Sequence, residues 1–369
     1  MRLSQAQMSL VLPEPTTAAP PFSGTFPERA KRYPRLRYMG SKNRLLPWIW
    51  ETLAALDFDS ALDLFSGTAS VGYLFKAMGK RVVTNDFLKF AHDLATATVA
   101  NDGATLSDEQ VAQLCRPRRG RRAFIEKTFA DIFFTKDDLR FLDIVWSNLD
   151  ELRDPRLRAL ALASLTRACL KRQPRGVFTV TGMNYDDGRR DLRLPLAEHF
   201  AESVAVFNAL VFENGHEHVA FRGDAFSVPP LAVDLVYMDP PYVPRADDNC
   251  YIKRYHFLEG LASYWTDPGT EIVETSRVKK IAKRFTPFSY RATANDAFER
   301  IFRKFADSTI VLSYSSNGYP DLETLVGLMR RSKRRVDVVR REHRYHFGTH
   351  KGVAQERKLV DEYLIIGRE

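Results

Sequence analysis

The chain has 369 residues, of which 44% are hydrophobic and 27% are charged, a composition typical of a globular protein with a full core. Its length suits two domains, or one large domain that carries a long insertion. No apolar run approaches the roughly 18 residues that a membrane helix needs, so the sequence does not predict a membrane span. The formal net charge of +9 favours a polyanionic partner but does not identify one.

The N-terminal segment and the cysteines carry little functional signal. Residues 1–34 contain one short apolar run that ends at Pro13, too short for a signal peptide, so they are predicted to be a disordered leader. Cys115, Cys169 and Cys250 are far apart and form no C-x-x-C pair. This spacing supports neither a disulfide framework nor a zinc site, and it indicates a reducing compartment.

The first regular elements in chain order predict an α/β sheet. An apolar-periodic segment from about Arg44 to Leu56 predicts a helix. The next segments are, in order, a buried strand, a small-residue turn, a helix, and a second strand that ends in an acid: Ala61–Phe65, Ser66–Thr68, Ser70–Met78, and Arg81–Thr84 followed by Asn85 and Asp86. This order begins a doubly wound, Rossmann-like α/β sheet with helices on both faces.

The alternation of strands and helices then stops. From about residue 90 to residue 200 the pattern is mostly helical and rich in arginine, and the aromatic run from Phe124 to Phe134 is predicted to be core. Strand-like signals return in five later segments: His218–Phe226, Asp234–Tyr242, Ser308–Gly318, Arg335–Arg341 and Glu362–Gly367. We therefore predict an α/β domain of residues 35–90 and 200–369, interrupted by a basic helical insertion of residues 91–199.

The turn after the first strand lies where ligands bind in a doubly wound sheet, outside the C-terminal ends of the strands. Gly67 lets the backbone bend tightly, and Asp86 stands about 20 residues later, where an acid usually holds ribose hydroxyls. The second glycine of a dinucleotide fingerprint is missing, because position 69 is Ala, and the sequence contains no P-loop. A nucleoside ligand without a pyrophosphate is favoured, and S-adenosylmethionine is the commonest such ligand.

The segment VYMDPPYVPR, residues 236–245, places a carboxylate, two prolines and a tyrosine at the end of a predicted strand. The prolines leave the carbonyl of Pro240 free to accept a hydrogen bond, and together with Asp239 it forms a paired acceptor for an –NH₂ group. Tyr242 offers a flat face to a planar ring. Hydrogen bonds to both hydrogens of an aromatic amine favour a tetrahedral nitrogen, whose lone pair can attack a sulfonium methyl group.

These motifs together resemble the D12 class (alpha group, Dam-like) of DNA adenine N6-methyltransferases, from about Arg37 to the C-terminus. The segments that carry the resemblance are RYMGSK (37–42), DLFSGTASVG (63–72), RGDAF (222–226) and DPPY (239–242). Weaker matches are RGVFTVTG (175–182), YIKRYHFLEGLA (251–262) and YHFGTHKGV (345–353), which precedes EYLII (362–366). Thr179 and Thr181 replace the Asn and Pro that the family usually has. Ala69 stands where the family usually has a glycine, and its β-carbon is expected to crowd the cofactor.

The resemblance implies a role for each group of residues. Catalysis falls to Asp239, Pro240, Pro241 and Tyr242. Binding of S-adenosylmethionine falls to Tyr38, Met39, Gly40, Lys42, Asp63, Phe65, Ser66, Gly67, Thr68, Asp86, Phe87, Asp224, Ala225, Phe226 and Asp239. Contacts to DNA are expected from the basic clusters of the insertion: Arg116, Arg118, Arg119, Arg121, Arg122, Lys171, Arg172 and Arg175.

The resemblance also implies the substrate and the setting. The target adenine of double-stranded DNA would be flipped out of the stack into the active site. A bacterial or phage-encoded cytoplasmic monomer is expected, either an orphan methylase or one with a cognate restriction endonuclease. RNA adenine methylation and methylation of a protein glutamine remain alternatives, as does a DNA-binding protein without catalysis. No metal is expected, since His216, Glu217 and His218 are interpreted as a surface turn.

Overall fold

The computed structural model describes residues 24–179, 187–244, 251–344 and 359–369. The strands are, in chain order, β1 (Ser60–Asp63), β2 (Arg81–Asp86), β3 (Val219–Arg222), β4 (Leu235–Met238), β5 (Val243–Pro244), β6 (Thr309–Ser315), β7 (Gly318–Tyr319), β8 (Arg335–Arg344) and β9 (Leu359–Arg368). Seven of these described strands form one sheet in the spatial order β3-β2-β1-β4-β6-β9-β8, and β5 pairs with β7 in an antiparallel ribbon.

The α-helices of the described residues are, in chain order, α1 (Glu28–Lys31), α2 (Leu46–Leu53), α3 (Ser70–Ala77), α4 (Lys89–Thr98), α5 (Asp108–Leu114), α6 (Phe124–Thr128), α7 (Lys136–Asn148), α8 (Pro155–Arg172), α9 (Arg190–Arg193), α10 (Leu196–Asn208), α11 (Tyr251–Ser263), α12 (Arg291–Lys304) and α13 (Leu322–Met329). Short 3₁₀ turns cover Lys42–Arg44, Leu149–Glu151, Ala225–Ser227 and Pro287–Ser289. None of these helices is long and apolar enough to cross a membrane.

The centre of the sheet is parallel, as the alternation of strands and helices predicts. β1 pairs in parallel with β2 and β4, β2 with β3, and β4 with β6. β9 runs antiparallel between β6 and β8. Every residue of β1 and β4 is buried, because helices cover both faces of a parallel sheet. The predicted Rossmann-like α/β fold is confirmed.

The sheet separates two hydrophobic clusters. Side chains alternate along β4, so that Val236 and Met238 belong to one cluster and Tyr237 to the other. The cluster that contains Tyr237 also contains Leu160 and, from the aromatic run, Phe129, Phe133 and Phe134, which are core as predicted, whereas Phe124 is 37% exposed. The helices of residues 91–199 therefore share a core with one face of the sheet, and their separation as a domain stays a prediction.

Two local predictions differ from the structure. The helix expected from Arg44 to Leu56 is shorter, Leu46–Leu53, with Pro47 in its first turn, where a missing N–H costs nothing. The end of the predicted leader is folded, since α1 lies within it and the Tyr33 hydroxyl donates to the Thr68 carbonyl. Residues 1–23 lie outside the described residues, as do residues 180–182 of the RGVFTVTG match and the whole YHFGTHKGV match, 345–353.

The environment of His218, just before β3, also differs from the prediction. His218 is buried rather than part of a surface turn. Its Nδ1 accepts a hydrogen bond from the Val82 N–H at 3.1 Å, and its Nε2 lies 2.9 Å from the Asn214 side-chain oxygen. Burial lowers the pKa of His218 to about 4, so the ring is neutral at physiological pH and serves the packing of the sheet edge.

Candidate active site

A pocket opens at the C-terminal ends of β1, β2 and β4, where the parallel sheet places its ligand. Twelve residues predicted to bind the cofactor or to act in catalysis line it: Tyr38, Gly40, Lys42, Asp63, Phe65, Ser66, Gly67, Thr68, Asp86, Phe87, Asp239 and Pro241. Six lining residues were not predicted: Ser41, Ser70, Val71, Leu88, Tyr237 and Tyr251. Segments about 200 residues apart in the chain thus meet in one site, as the order of the motifs predicts.

Asp86 joins the glycine turn to the end of β2. One oxygen of its carboxylate accepts from the Gly67 N–H at 2.8 Å, and the other accepts from the Leu88 N–H at 2.9 Å. Gly67 has φ +51°, a left-handed conformation that glycine adopts without strain. Burial raises the pKa of Asp86 to about 6, and the backbone donors oppose this shift. The acid is therefore held in place and lines the pocket, where it remains able to accept from a ligand.

Asp63 at the end of β1 has a similar arrangement. Its carboxylate accepts from the Gly72 N–H at 2.9 Å, which links the strand to the first turn of α3. A β-carbon at Gly72 would lie 2.9 Å from the Thr84 methyl group, so α3 approaches β2 as closely as only glycine allows. Burial raises the pKa of Asp63 to about 8. A positive charge in the pocket would favour the ionised form of both acids.

Ala69 does not crowd the pocket, contrary to the expectation from its departure from the family pattern. It is fully buried in the hydrophobic cluster of Tyr237 and is absent from the pocket lining. Its backbone is left-handed, with φ 60°, and its N–H donates to the Ser66 carbonyl at 2.7 Å. The substitution therefore acts through backbone strain, of the order of 1 kcal/mol, rather than through contact with a ligand.

Lys42 forms an ion pair with Asp239 that the sequence did not predict. The Lys42 Nζ lies 2.7 Å from the Asp239 Oδ2, and it also donates to the Gly40 carbonyl at 3.3 Å. The two side chains are only 7% and 19% exposed. Burial raises the pKa of Asp239, and the charge of Lys42 opposes that rise. Burial acts to lower the pKa of Lys42, but Asp239 and neighbouring acids raise it, so the lysine stays charged.

Aromatic side chains hold the N-terminal motif beside α11. The Tyr38 ring stacks on Tyr255 at 4.6 Å and on Tyr251 at 5.6 Å. The Met39 N–H donates to the Tyr255 hydroxyl at 2.6 Å, so Met39 supports the pocket through its backbone without lining it. Gly40 has φ +77°, and a β-carbon there would lie 2.8 Å from the Tyr251 hydroxyl. These contacts place Lys42 at the end of β4.

The catalytic motif itself divides between the pocket and its rim. Asp239 and Pro241 line the pocket, and Pro240, between them in the chain, is buried. Tyr242 is partly exposed and lies against Tyr314, with ring centroids 5.1 Å apart and planes at 58°. Its stacking on a target base stays a prediction, because no described pocket contact tests it.

The RGDAF segment lies next to the pocket but does not line it. The Asp224 carboxylate accepts from the Phe226 N–H at 2.8 Å and so closes a turn on its own backbone. Ala225 is buried in the hydrophobic cluster that contains Val236 and Met238, and the Phe226 ring stacks on Phe288 at 5.6 Å. Phe288 in turn packs edge-on against Phe65 of the pocket, 5.3 Å away. A cofactor contact by these three residues stays a prediction.

Several arginines of the RPRRGRR cluster, residues 116–122, already pair with other side chains of the protein. Arg121 pairs with Glu126 at 2.5 Å, and Arg118 pairs with Glu151 at 3.4 Å. The guanidinium of Arg122 lies over the Tyr264 ring, 4.8 Å from its centroid, and 3.6 Å from Asp150. The side chains of Arg116 and Arg119 are exposed and make no ion pair with the described part of the chain.

The second cluster is bound more tightly within the protein. Lys171 lies 3.0 Å from Glu202 and 3.5 Å from Asp191. Arg172 lies 3.3 Å from Asp138 and donates to the Leu192 carbonyl. Arg175 is exposed. DNA contact by these side chains stays a prediction, and for Lys171 and Arg172 it would require them to leave partners that they already have.

The parallel sheet, the glycine turn with its acid, and a DPPY motif in the same pocket define a methyltransferase of the Rossmann-like class. Residues 38–310 match the model of the D12 class N6 adenine-specific DNA methyltransferase family. The match covers well over half of the chain, and the chain belongs to this family. The expected DNA adenine methyltransferase is thereby confirmed.

Three curated relatives agree with this assignment. The type II methyltransferase M2.HphI of Haemophilus parahaemolyticus is 28% identical over 85% of this chain and 93% of its own length. The type II methyltransferase M.NlaIII of Neisseria lactamica is 24% identical over 84% of this chain and 92% of its own length. The modification methylase LlaI of Lactococcus lactis subsp. lactis is also 24% identical, over 89% of this chain but 54% of its own length.

Proposed function

We propose that the chain transfers a methyl group from S-adenosylmethionine to N6 of an adenine flipped out of double-stranded DNA at a specific sequence. The observation that carries the proposal is the position of Asp239 in the same pocket as Asp63, Gly67 and Asp86. A base held at Asp239 would therefore lie next to a ligand held by the glycine turn. No covalent intermediate with the protein is needed, because the site supplies positioning and electrostatic stabilisation.

The pocket fits a cationic nucleoside. Its described lining carries the carboxyl groups of Asp63, Asp86 and Asp239 and a single cation, Lys42. The buried hydroxyl of Ser66 has no hydrogen-bond partner in the described residues and is available to a ligand. S-adenosylmethionine carries a sulfonium and an ammonium group, whose charges complement this lining, and a ribose, whose hydroxyls suit Asp86. When bound, it would supply an electrophilic methyl group.

Asp239 and the carbonyl of Pro240 accept the two hydrogens of the adenine amine. The lone pair of N6 then points away from the ring plane and becomes the nucleophile. Lys42 keeps the carboxylate of Asp239 ionised and fixes its orientation through the 2.7 Å contact. The ionised carboxylate stabilises the positive charge that develops on N6 and is placed to receive its proton. Tyr242 holds the base from the rim.

DNA binding is assigned to exposed cations, first of all Arg116 and Arg119. Phosphate contacts fix the register of the enzyme, and base contacts select the site. The family and the relatives support a role in restriction and modification, with a cognate endonuclease as partner. We propose that the enzyme acts as a monomer in the bacterial cytoplasm, where its DNA substrate lies.

Isothermal titration of the purified full chain with S-adenosylmethionine tests the proposed cofactor. We expect saturable binding, and we expect Asp86→Asn to weaken it at least tenfold, since the amide can accept from only one of the two backbone donors. Asp307→Asn, an exposed carboxyl group remote from the pocket, is the matched control and should bind as the unmodified chain does. A chain that folds but binds no S-adenosylmethionine would contradict the proposal.

A further inference from the structure

The described residues between α11 and α12 form a basic, aromatic surface that the pocket does not use. We call residues 277–291 the rim segment. It contains six Lys or Arg side chains and no acid: Arg277, Lys279, Lys280, Lys283, Arg284 and Arg291. It also carries Phe285 and Tyr290, which are 67% and 46% exposed and stack with ring centroids 5.2 Å apart at 20°. Phe285 is the most exposed large hydrophobic side chain of the described residues.

The rim segment is anchored rather than loose. The Val273 N–H donates to the Lys280 carbonyl at 2.8 Å, and Ile272 forms a bridge with Ile281. Val278 and Ile281 are buried, and Arg284 lies 3.5 Å from the buried carboxylate of Glu259, so these side chains fix the segment to the protein, whereas Arg277 is exposed and Lys279 and Lys280 are half-exposed. The backbone that carries its cations is thereby held in place, which lowers the entropy that a partner would have to remove on binding.

Two contacts hold the rim segment beside the active site. Phe288 packs against Phe65 of the pocket. The guanidinium of Arg291 lies over the Tyr319 ring, 4.4 Å from its centroid, and Tyr319 pairs with Val243, the residue after Tyr242. α12 also begins at the ligand edge of the sheet, because a helix that leads into a parallel strand runs antiparallel to it.

We propose that the rim segment is a second DNA-binding surface, in which Arg277, Lys279 and Lys280 contact phosphates and Phe285 stacks on a base unpaired beside the flipped adenine. Proteins hold unpaired nucleic acid through cations arranged along the phosphate backbone, together with exposed aromatic rings on which bases stack. Flipping an adenine out of the duplex leaves its partner base unpaired, and the rim segment lies beside the pocket into which the adenine flips. The proposal rests on DNA as the substrate.

The phosphate contacts are tested by the salt dependence of binding to a fluorescein-labelled duplex, measured by anisotropy from about 50 to 200 mM NaCl. The triple variant Arg277→Gln, Lys279→Gln, Lys280→Gln should reduce the slope of log K against log salt by about 2 to 3. The control removes three exposed cations at the C-terminal ends of α12 and α13, Arg303→Gln, Arg331→Gln and Arg334→Gln, of which the first two pair with Glu299. This control should leave the slope within about one of the unmodified chain.

The stacking contact is tested on a labelled single-stranded oligothymidylate. Phe285→Ala should weaken binding about tenfold, and Phe285→Trp should restore it, because any aromatic face stacks on a base. Phe285→Leu separates stacking from apolar contact and should resemble the alanine variant. Cofactor titration of each variant, with an unchanged dissociation constant, shows that the pocket is intact.

Either of two results would overturn this inference without affecting the proposed function. One is a salt slope of the rim-segment triple variant that equals the slope of the unmodified chain. The other is an equal loss of salt slope in the control triple variant. Wild-type affinity of Phe285→Ala for the single strand would remove the stacking contact. Failure of the unmodified chain to bind any DNA would overturn both the inference and the DNA substrate, whereas failure to bind S-adenosylmethionine alone would overturn only the proposed cofactor.

Discussion

The ligand pocket and the arginine-rich helices use their charged side chains differently. In the pocket, Asp63 and Asp86 are buried and held by backbone N–H groups, and Asp239 is held by Lys42. In the helical region, most of the predicted DNA-contacting cations pair with acids at or near the surface. Lys171 with Glu202 and Arg121 with Glu126 are examples.

This difference shows which sequence patterns report function directly. An acid at the C-terminal end of a parallel strand lies at the edge of the sheet where ligands bind, and it has few structural partners there. Its position therefore predicts a ligand-binding site. A run of arginines has many acids within reach of its long side chains, so the run predicts charge but not the free side chains. Four predictions follow from this contrast, beginning with the largest effect.

Asp239→Asn should reduce the rate constant for methyl transfer at least about a thousandfold, because the amide neither stabilises positive charge on N6 nor accepts its proton. The binding of S-adenosylmethionine should change much less. Single-turnover transfer to unmethylated DNA measures the loss, with Asp307→Asn as the inert carboxyl control. Transfer within tenfold of the unmodified chain would remove Asp239 from the chemistry.

Lys42→Met should reduce transfer at pH 7 by about 10- to 100-fold and shift the acid limb of the pH–rate profile upward. The sign follows from burial, which raises the pKa of Asp239, and from the loss of the cation that opposes this rise. Activity should therefore recover in part at higher pH, where Asp239 is again ionised. Lys31→Met, which removes an exposed lysine, should leave the profile unchanged; an unshifted profile for Lys42→Met would contradict the proposed role.

Arg172→Gln and the double variant Arg116→Gln, Arg119→Gln should separate paired from free cations. Arg172 pairs with buried Asp138, so its loss should lower the free energy of unfolding by about 1–3 kcal/mol. The exposed pair should change stability by less than about 0.5 kcal/mol but reduce the salt slope of DNA binding by about 2. Denaturant unfolding and anisotropy measure the two effects, and the reverse pattern would refute the distinction.

The affinity for S-adenosylmethionine should rise about tenfold between about pH 5 and pH 7. The pKa of Asp86 is raised to about 6, so at the lower pH the free chain must lose a proton before it can hold a cationic ligand well. The ammonium group of the ligand stays charged over this window. Titration calorimetry at both pH values measures the change, and Asp86→Asn should reduce it; the part that remains is expected from Asp63, whose pKa burial raises to about 8. A flat profile for the unmodified chain would show that Asp86 does not face the cationic ligand.

Much of the site could be predicted from the sequence because its signals are local. The strand that ends at Asp63, the turn at Gly67 and the acid at Asp86 lie within one strand-helix-strand unit. The ion pair between Lys42 and Asp239 could not be predicted, since it joins residues 197 positions apart through the stacking of Tyr38 on α11.

Other features could not be predicted either, because they also depend on contacts between distant parts of the chain. The strand-like segment near residue 365 predicts a strand but not its antiparallel place between β6 and β8. Asp224 satisfies the family pattern, yet its side chain turns to its own backbone. The pairing of Arg172 with Asp138 depends on how α7 and α8 pack, which periodicity alone does not fix.

Long-read sequencing of genomic DNA from a methylation-free host that expresses the unmodified chain, or the Asp239→Asn variant, tests the central claim most directly. The account predicts N6-methyladenine in one short sequence motif with the unmodified chain and none with the variant. Unmodified adenine in cells that contain the folded, cofactor-binding chain would contradict the claim. Equal modification by the Asp239→Asn variant would contradict the mechanism.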